Sequence, residues 1–217
     1  MDPMNISLIR VLTQTSQEKI DRHGRIIERA FPGLHVKSSC IQEQPKGIFD
    51  EASEEEALPK VMNLAKAMEA DADALIISCA ADPAVEQLKE MLCVPVVGAG
   101  ESAAAVARVL GKDVGVITLS SEVPSSILKG LGNHFLSSQP VSALRSAADL
   151  GSHAIRHIFD AATQLKNKGS DVIVLGCTGF AALEVAPSLN RTLNMPVVDP
   201  LIAAGAIVYS QMLSEVK

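Results

Sequence analysis

Short aliphatic runs recur along this chain, and between them apolar residues fall at helical spacing. "ISLIRVL" at 6–12 predicts a strand, because such a run suits a strand buried on both faces. "SQEKIDRHGRIIERAF" at 16–31 puts Ile20, Ile26, Ile27 and Phe31 on one face, which predicts a helix. "LHVKSSC" at 34–40 predicts a second strand. The acidic "FDEASEEEALPKV" at 49–61 predicts a loop entering a helix that continues to about residue 70, since glutamates favour a helix N-terminus. A strand at 74–78, a helix opening at Pro83 and a short strand at 95–97 follow. The pattern then restarts: a strand at 112–121, helices at 124–131 and 147–166, the strand "DVIVLG" at 171–176, a helix, the strand "MPVV" at 195–198 and a last helix. Strand–helix alternation throughout predicts an α/β protein with parallel sheets.

The restart reads as an internal repeat. "VLTQTS" at 11–16 aligns with "VITLSS" at 116–121, Cys79 with Cys177, and "VPVVGAG" at 94–100 with "MPVVDPL" at 195–201. The expectation is two pseudo-symmetric domains, each a parallel sheet flanked by helices. Residues 1–100 plus 200–217 form the first and 101–199 the second, with the active site in the cleft between them. In open α/β sheets ligands bind at the carboxyl ends of strands. Both cysteines stand there, with Thr13, Gln14 and Thr15 in one half and Thr118, Ser120 and Ser121 in the other.

Composition narrows the picture. Apolar residues make up 47% and aromatics 3%, with no Trp, so the core must be aliphatic. The net charge is −6 and the basic residues are scattered, which argues against a nucleic-acid surface. "MDPMNISLIR" lacks the pattern of a secretory leader, and apolar runs such as "LIAAGAIV" at 201–208 are too short to cross a bilayer. The expected compartment is the cytoplasm, with no membrane partner. Cys40, Cys79, Cys93 and Cys177 form no CxxC pair and no Cys/His cluster, so neither disulfides nor a metal are expected.

Two thiols on opposite walls of a cleft suit one reaction in particular. A thiolate removes a proton from one face of a carbon acid, and a thiol returns one to the other face with inversion. A free cysteine titrates at about 8.5, within tuning range of neutral pH. Each cysteine precedes an expected helix start, where backbone N–H groups favour a thiolate, a carboxylate or a developing enolate. A single cysteine ending an apolar strand is ordinarily a buried small side chain. Two at equivalent points of a repeat point to chemistry. Cys40 and Cys93 lack that placement and read as structural.

"SCAADP" followed by "VPVVGAGESAAA", with "LGCTGF" followed by "MPVVDP", resembles the aspartate/glutamate/hydantoin racemase superfamily, closest to its hydantoin racemase branch. The resemblance covers nearly the whole chain. It implies racemisation or epimerisation of a small-molecule substrate without cofactor or metal, a homo-oligomer, and Cys79 and Cys177 as the acid/base pair. It implies too that Thr13, Gln14, Thr118 and the backbone after each cysteine, at Ala80 and Thr178, hold the substrate: a hydantoin, an allantoin-like ring or an amino acid. Thr15 and Ser120 complete the expected lining. Where the hydantoin branch carries Asn-Pro-Asn-Thr, this chain reads "LTQTS", so its pocket differs. Maleate-type cis–trans isomerisation in the same superfamily also uses two cysteines.

Other features carry rival readings. "GAGESA" at 98–103 fits the G-x-G-x-x-A dinucleotide fingerprint, with Glu122 placed for a ribose, which would make the chain an NAD(P)-binding protein. A small-ligand binder without turnover is a further alternative. Asp82 reads as the N-cap of the helix entered at Pro83, and Glu101 as a first-turn helix residue. His153 and His157 have metal-pair spacing but no neighbouring Glu or third ligand, so a solvated helix face is expected. His23 and His134 have no evident partner.

Overall fold

The computed structural model describes residues 3–141, 144 and 146–214. Aliphatic strands and amphipathic helices alternate along it. The first half holds β1 (Met4–Arg10), α1 (Gln17–Ala30), β2 (Leu34–Cys40), α2 (Glu51–Met68), β3 (Ala74–Ser78), α3 (Val85–Met91) and β4 (Val96–Gly98). The chain continues through α4 (Ala99–Leu110), β5 (Val114–Thr118), α5 (Ser125–Leu131), β6 (Phe135–Pro140), α6 (Ala154–Asn167) and β7 (Val172–Leu175). It ends with α7 (Thr178–Ala181), α8 (Ala186–Leu193), β8 (Val197–Val198) and α9 (Pro200–Ser214). The strands form two parallel four-stranded sheets, ordered β2-β1-β3-β4 and β6-β5-β7-β8. This is the α/β architecture expected from the repeat: two similar sheets flanked by helices.

The central strands explain why their sequences are almost wholly apolar. β3, β5 and β7 are buried along their whole length, because helices cover both faces of each sheet. One strand escapes the pattern of aliphatic runs. β6, "FLSSQP", lies at a sheet edge and is only half-buried, so serines and glutamine suffice there and no apolar run announces it. α6 begins at Ala154 rather than 147, after an isolated 3-10 turn over Ala147–Asp149. α3 begins at Val85 rather than at Pro83. Asp82 and Ala84, on either side of that proline, have φ of +53° and +62°, a left-handed pair incompatible with a helical first turn.

Strand pairing also corrects one register of the repeat. Ile9 pairs with Ile77, and Ile117 with Leu175. The Ile41 N–H donates to the Arg10 carbonyl at 3.0 Å, and the Val141 N–H to the Thr118 carbonyl at 2.9 Å. Arg10 and Thr118 are therefore equivalent strand ends. The match of "VLTQTS" with "VITLSS" is displaced by three residues, because short Val/Ile/Ser/Thr strings align in several registers. The cysteine match and the "PVV" match agree with the pairing of β3 with β4 and of β7 with β8.

α9 closes the chain by packing on α1 and α4. Leu201, Ala204 and Val208 join a cluster with Met4, Ile6, Leu8, Ile26 and Ile27. A Cβ at Gly205 would fall 2.6 Å from the Phe31 ring, so the glycine allows this close approach.

Candidate active site

β3 and β7 end side by side at the boundary between the two halves, and each delivers a cysteine there. Cys79 follows Ser78 and Cys177 follows Gly176, and both are 8% exposed. Gly176 has no room for a side chain: a Cβ would lie 2.6 Å from the Ile117 carbonyl of the neighbouring strand. The Thr178 hydroxyl donates to the Ser78 carbonyl at 3.2 Å, and the Ser126 hydroxyl donates to the Ala80 carbonyl at 2.7 Å. Each bond ties the segment around one cysteine to the other half. Both thiols open on one pocket of about 650 Å³, walled from both halves.

The two thiols sit in different surroundings. Cys177 is the N-cap of α7 and its sulfur accepts the Gly179 N–H at 3.3 Å. Burial pushes its thiol up to about 11, opposed by the Gly179 and Phe180 N–H groups and by the Arg10 cation. Burial pushes Cys79 higher, above the usual thiol range. Its Ala81 N–H opposes the shift, while negative charge at Cys177, Asp82 and Glu54 adds to it.

Of the residues expected at the site, Thr13, Gln14, Ala80, Ser120 and Thr178 line the pocket with the cysteines. The Thr13 hydroxyl is already engaged, donating to the Ile41 carbonyl and accepting the Gln44 N–H, each at 2.8 Å. Thr15 is exposed and outside the lining. Thr118 is 1% exposed and also outside it, because its hydroxyl turns back to the Ser120 carbonyl at 2.6 Å. Cys40 is buried, Cys93 is exposed, and neither lines the pocket.

Sequence reasoning missed a polar wall. Arg10, Lys19, Arg22, His23 and Ser78 all line the pocket. The signal was present: Arg10 is the one charge inside "ISLIRVL", and Lys19, Arg22 and His23 recur at helical spacing. His23 is 2% exposed and its Nδ1 lies 2.8 Å from the Ser78 hydroxyl. Burial, with Arg10 and Arg22 nearby, holds it well below the usual imidazole range, so the ring is neutral. Asp50, Glu51, Glu54 and Glu122 stand on other parts of the wall.

The dinucleotide-like "GAGESA" has another explanation. The Asp82 carboxyl group accepts the Gly100 N–H at 2.8 Å and the Glu101 N–H at 2.6 Å, so the first-turn N–H groups of α4 are already taken. A Cβ at Gly98 would lie 2.5 Å from the Asp82 carboxyl carbon, and one at Gly100 would strike the Ala80 carbonyl. These glycines make space for the loop after Cys79. Asp82 thus caps α4 and not the helix that follows it in sequence. Glu101 is the expected first-turn residue, accepting the Gly98 N–H at 3.0 Å. Among the described residues no group of three His, Cys, Asp or Glu is placed to hold a metal ion, and no helix is long and apolar enough to cross a membrane.

The family model for Asp/Glu/Hydantoin racemase matches residues 13–207. The chain belongs to this family. Its family places it among racemases, which are isomerases. A hydantoin racemase of Rhizobium meliloti is 29% identical over 181 residues, covering 78% of this chain and 73% of the relative. The crystal structure of an allantoin racemase from Pseudomonas fluorescens superposes with a TM-score of 0.84 at 25% identity, covering 97% of this chain and 92% of that one. An allantoin racemase from Klebsiella pneumoniae shares the fold with a TM-score of 0.83 at 24% identity, covering 97% and 88%.

Proposed function

We propose that this racemase inverts a carbon acid next to a carbonyl with two thiols and no cofactor. One cysteine, as thiolate, removes the proton, and the bonding electrons move onto the carbonyl oxygen. The other, as thiol, protonates the planar enolate from the opposite face. The mirror substrate reverses the two roles. The substrate is a hydantoin, an allantoin-like ring or an amino acid. Gln14, Ser120 and the backbone at Ala80 and Thr178 hold its polar atoms. The two domains are residues 1–100 plus 200–217 and residues 101–199.

One observation carries this reading: two cysteines at equivalent strand ends of two similar halves open on a single pocket. Burial suppresses ionisation of both thiols, so the thiolate that acts as base is the minor form. A thiol pushed up to about 11 is rarely ionised at neutral pH, but its thiolate is a stronger base toward a weakly acidic C–H. The mechanism needs both sulfurs reduced, a condition a reducing cytoplasm maintains.

Solvent deuterium exchange at the acidic carbon, run with both hands of hydantoins, allantoin and amino acids, identifies the substrate. Cys79→Ala and Cys177→Ala should each lower racemisation by about a thousandfold or more while ligand binding persists. Racemisation at the wild-type rate in both variants would falsify the mechanism.

A further inference from the structure

Arg10 stands out among the buried charges. It is 8% exposed at the C-terminal end of β1, a position whose equivalent in the other half is Thr118. A guanidinium carries five N–H donors. Among the described residues the one acceptor supplied to Arg10 is the Lys19 carbonyl, and no carboxylate forms an ion pair with it. Its side chain lines the pocket, as do Arg22 and Lys19 beside it on α1. Burial holds it down to about 10, so it is still a cation at neutral pH. Arg10 and Cys177 each influence the other's ionisation, which sets them within electrostatic reach. A buried cation without an anionic partner is costly unless something completes it. In an enzyme that something is a substrate group, because the cost is then recovered on binding.

We propose that Arg10 anchors a carboxylate of the substrate, so that the molecule turned over here is an acid and not a neutral ring. This rests on the pocket being the racemisation site. Lys19 and Arg22 add positive charge on the α1 side of the wall. His23, neutral and fixed by Ser78, adds no further positive charge beside Arg10. The acidic residues Asp50, Glu51 and Glu54 come from the start of α2, a different element, and Glu122 from the segment after β5.

Iodoacetate and iodoacetamide test this without knowledge of the substrate. They differ only in a carboxylate against a carboxamide, and each alkylates a thiolate with loss of iodide. At an open thiol the neutral reagent is faster, since thiolate and carboxylate repel. Modification rates of Cys177 are read by peptide mass spectrometry and normalised to exposed Cys93 and to free cysteine. Cys177 should favour iodoacetate by at least about tenfold relative to both references, with saturation at rising reagent. Arg10→Met should slow iodoacetate at least about tenfold more than iodoacetamide, whose own slowing reads the lost effect on thiol ionisation, and Arg10→Lys should keep part of the preference. The same reagent ratio at Cys177 as at Cys93, or no carboxymethylation of Cys177, overturns the proposal. So does an equal slowing of both reagents in Arg10→Met, because Arg10 would then act on thiol ionisation alone. Failure of the two-thiol mechanism appears elsewhere, as normal racemisation by the cysteine variants.

Discussion

The two halves solve the same problems with different residues. Helices α4 and α9 start at equivalent places, and in each the first-turn N–H groups bond to an aspartate. In the second half Asp199 does this from the N-cap position, accepting the Leu201 and Ile202 N–H groups at 2.8 and 3.3 Å. In the first half that position is Gly98, and Asp82 reaches in from the loop after Cys79 to take the matching N–H groups of Gly100 and Glu101. Burial pushes both carboxyls up, Asp82 to about 7 and Asp199 to about 6. The strand ends diverge further. Arg10 points a cation at the pocket, whereas Thr118 folds its hydroxyl back on its own loop. The two halves thus share a backbone frame and differ in the side chains that finish each wall.

The largest effect expected from this comparison lies in the one feature both halves share. Either cysteine changed to alanine should cost about a thousandfold in racemisation, although the two thiols have unlike surroundings. A loss confined to one variant would mean that the asymmetry extends to the chemistry.

Next comes the borrowed cap. Asp82→Ala leaves the Gly100 and Glu101 N–H groups unpaired and should cost about 2–3 kcal/mol, read as a lowered midpoint in denaturant. It should also slow racemisation, because the loop it holds carries Cys79. Unchanged stability would show that water replaces the carboxylate.

A third effect is alkaline. Burial raises the Cys177 thiol to about 11 on folding. Its contribution to stability is therefore complete below about pH 9 and lost as pH climbs through about 11. Cys79 shifts in the same direction. The wild-type melting temperature should fall more between pH 8 and pH 10.5 than that of Cys177→Ala. Parallel falls would place the thiol in a wetter setting.

The smallest effect concerns the bond between the halves. Thr178→Val removes the hydroxyl that donates to the Ser78 carbonyl and should cost about 1 kcal/mol. A loss of activity much larger than this loss of stability would show that the bond sets the spacing of the two cysteines.

Much of the fold was legible because parallel sheets covered on both faces demand aliphatic strands, and "ALIIS", "VGVIT" and "VIVL" meet that demand. "FLSSQP" did not read as a strand, since an edge position asks for little apolar burial. The cysteines were legible as a pair because order along the chain is kept. Arg10 was not recognised because a lone charge in a strand-like run does not tell which way it faces.

The sequence by itself determined the alternation of strands and helices, the duplication, and the placement of a thiol after the same strand in each half. These are local or repeated patterns, and they survive without knowledge of contacts. Only the tertiary structure decided that Asp82 caps a helix starting seventeen residues on, that Gly98 and Gly100 make room for a loop, and that Thr118 is sealed while Arg10 faces the pocket. Such facts depend on which side chains meet across distant segments, and a register shift of three residues in the repeat was enough to hide the equivalence of Arg10 and Thr118.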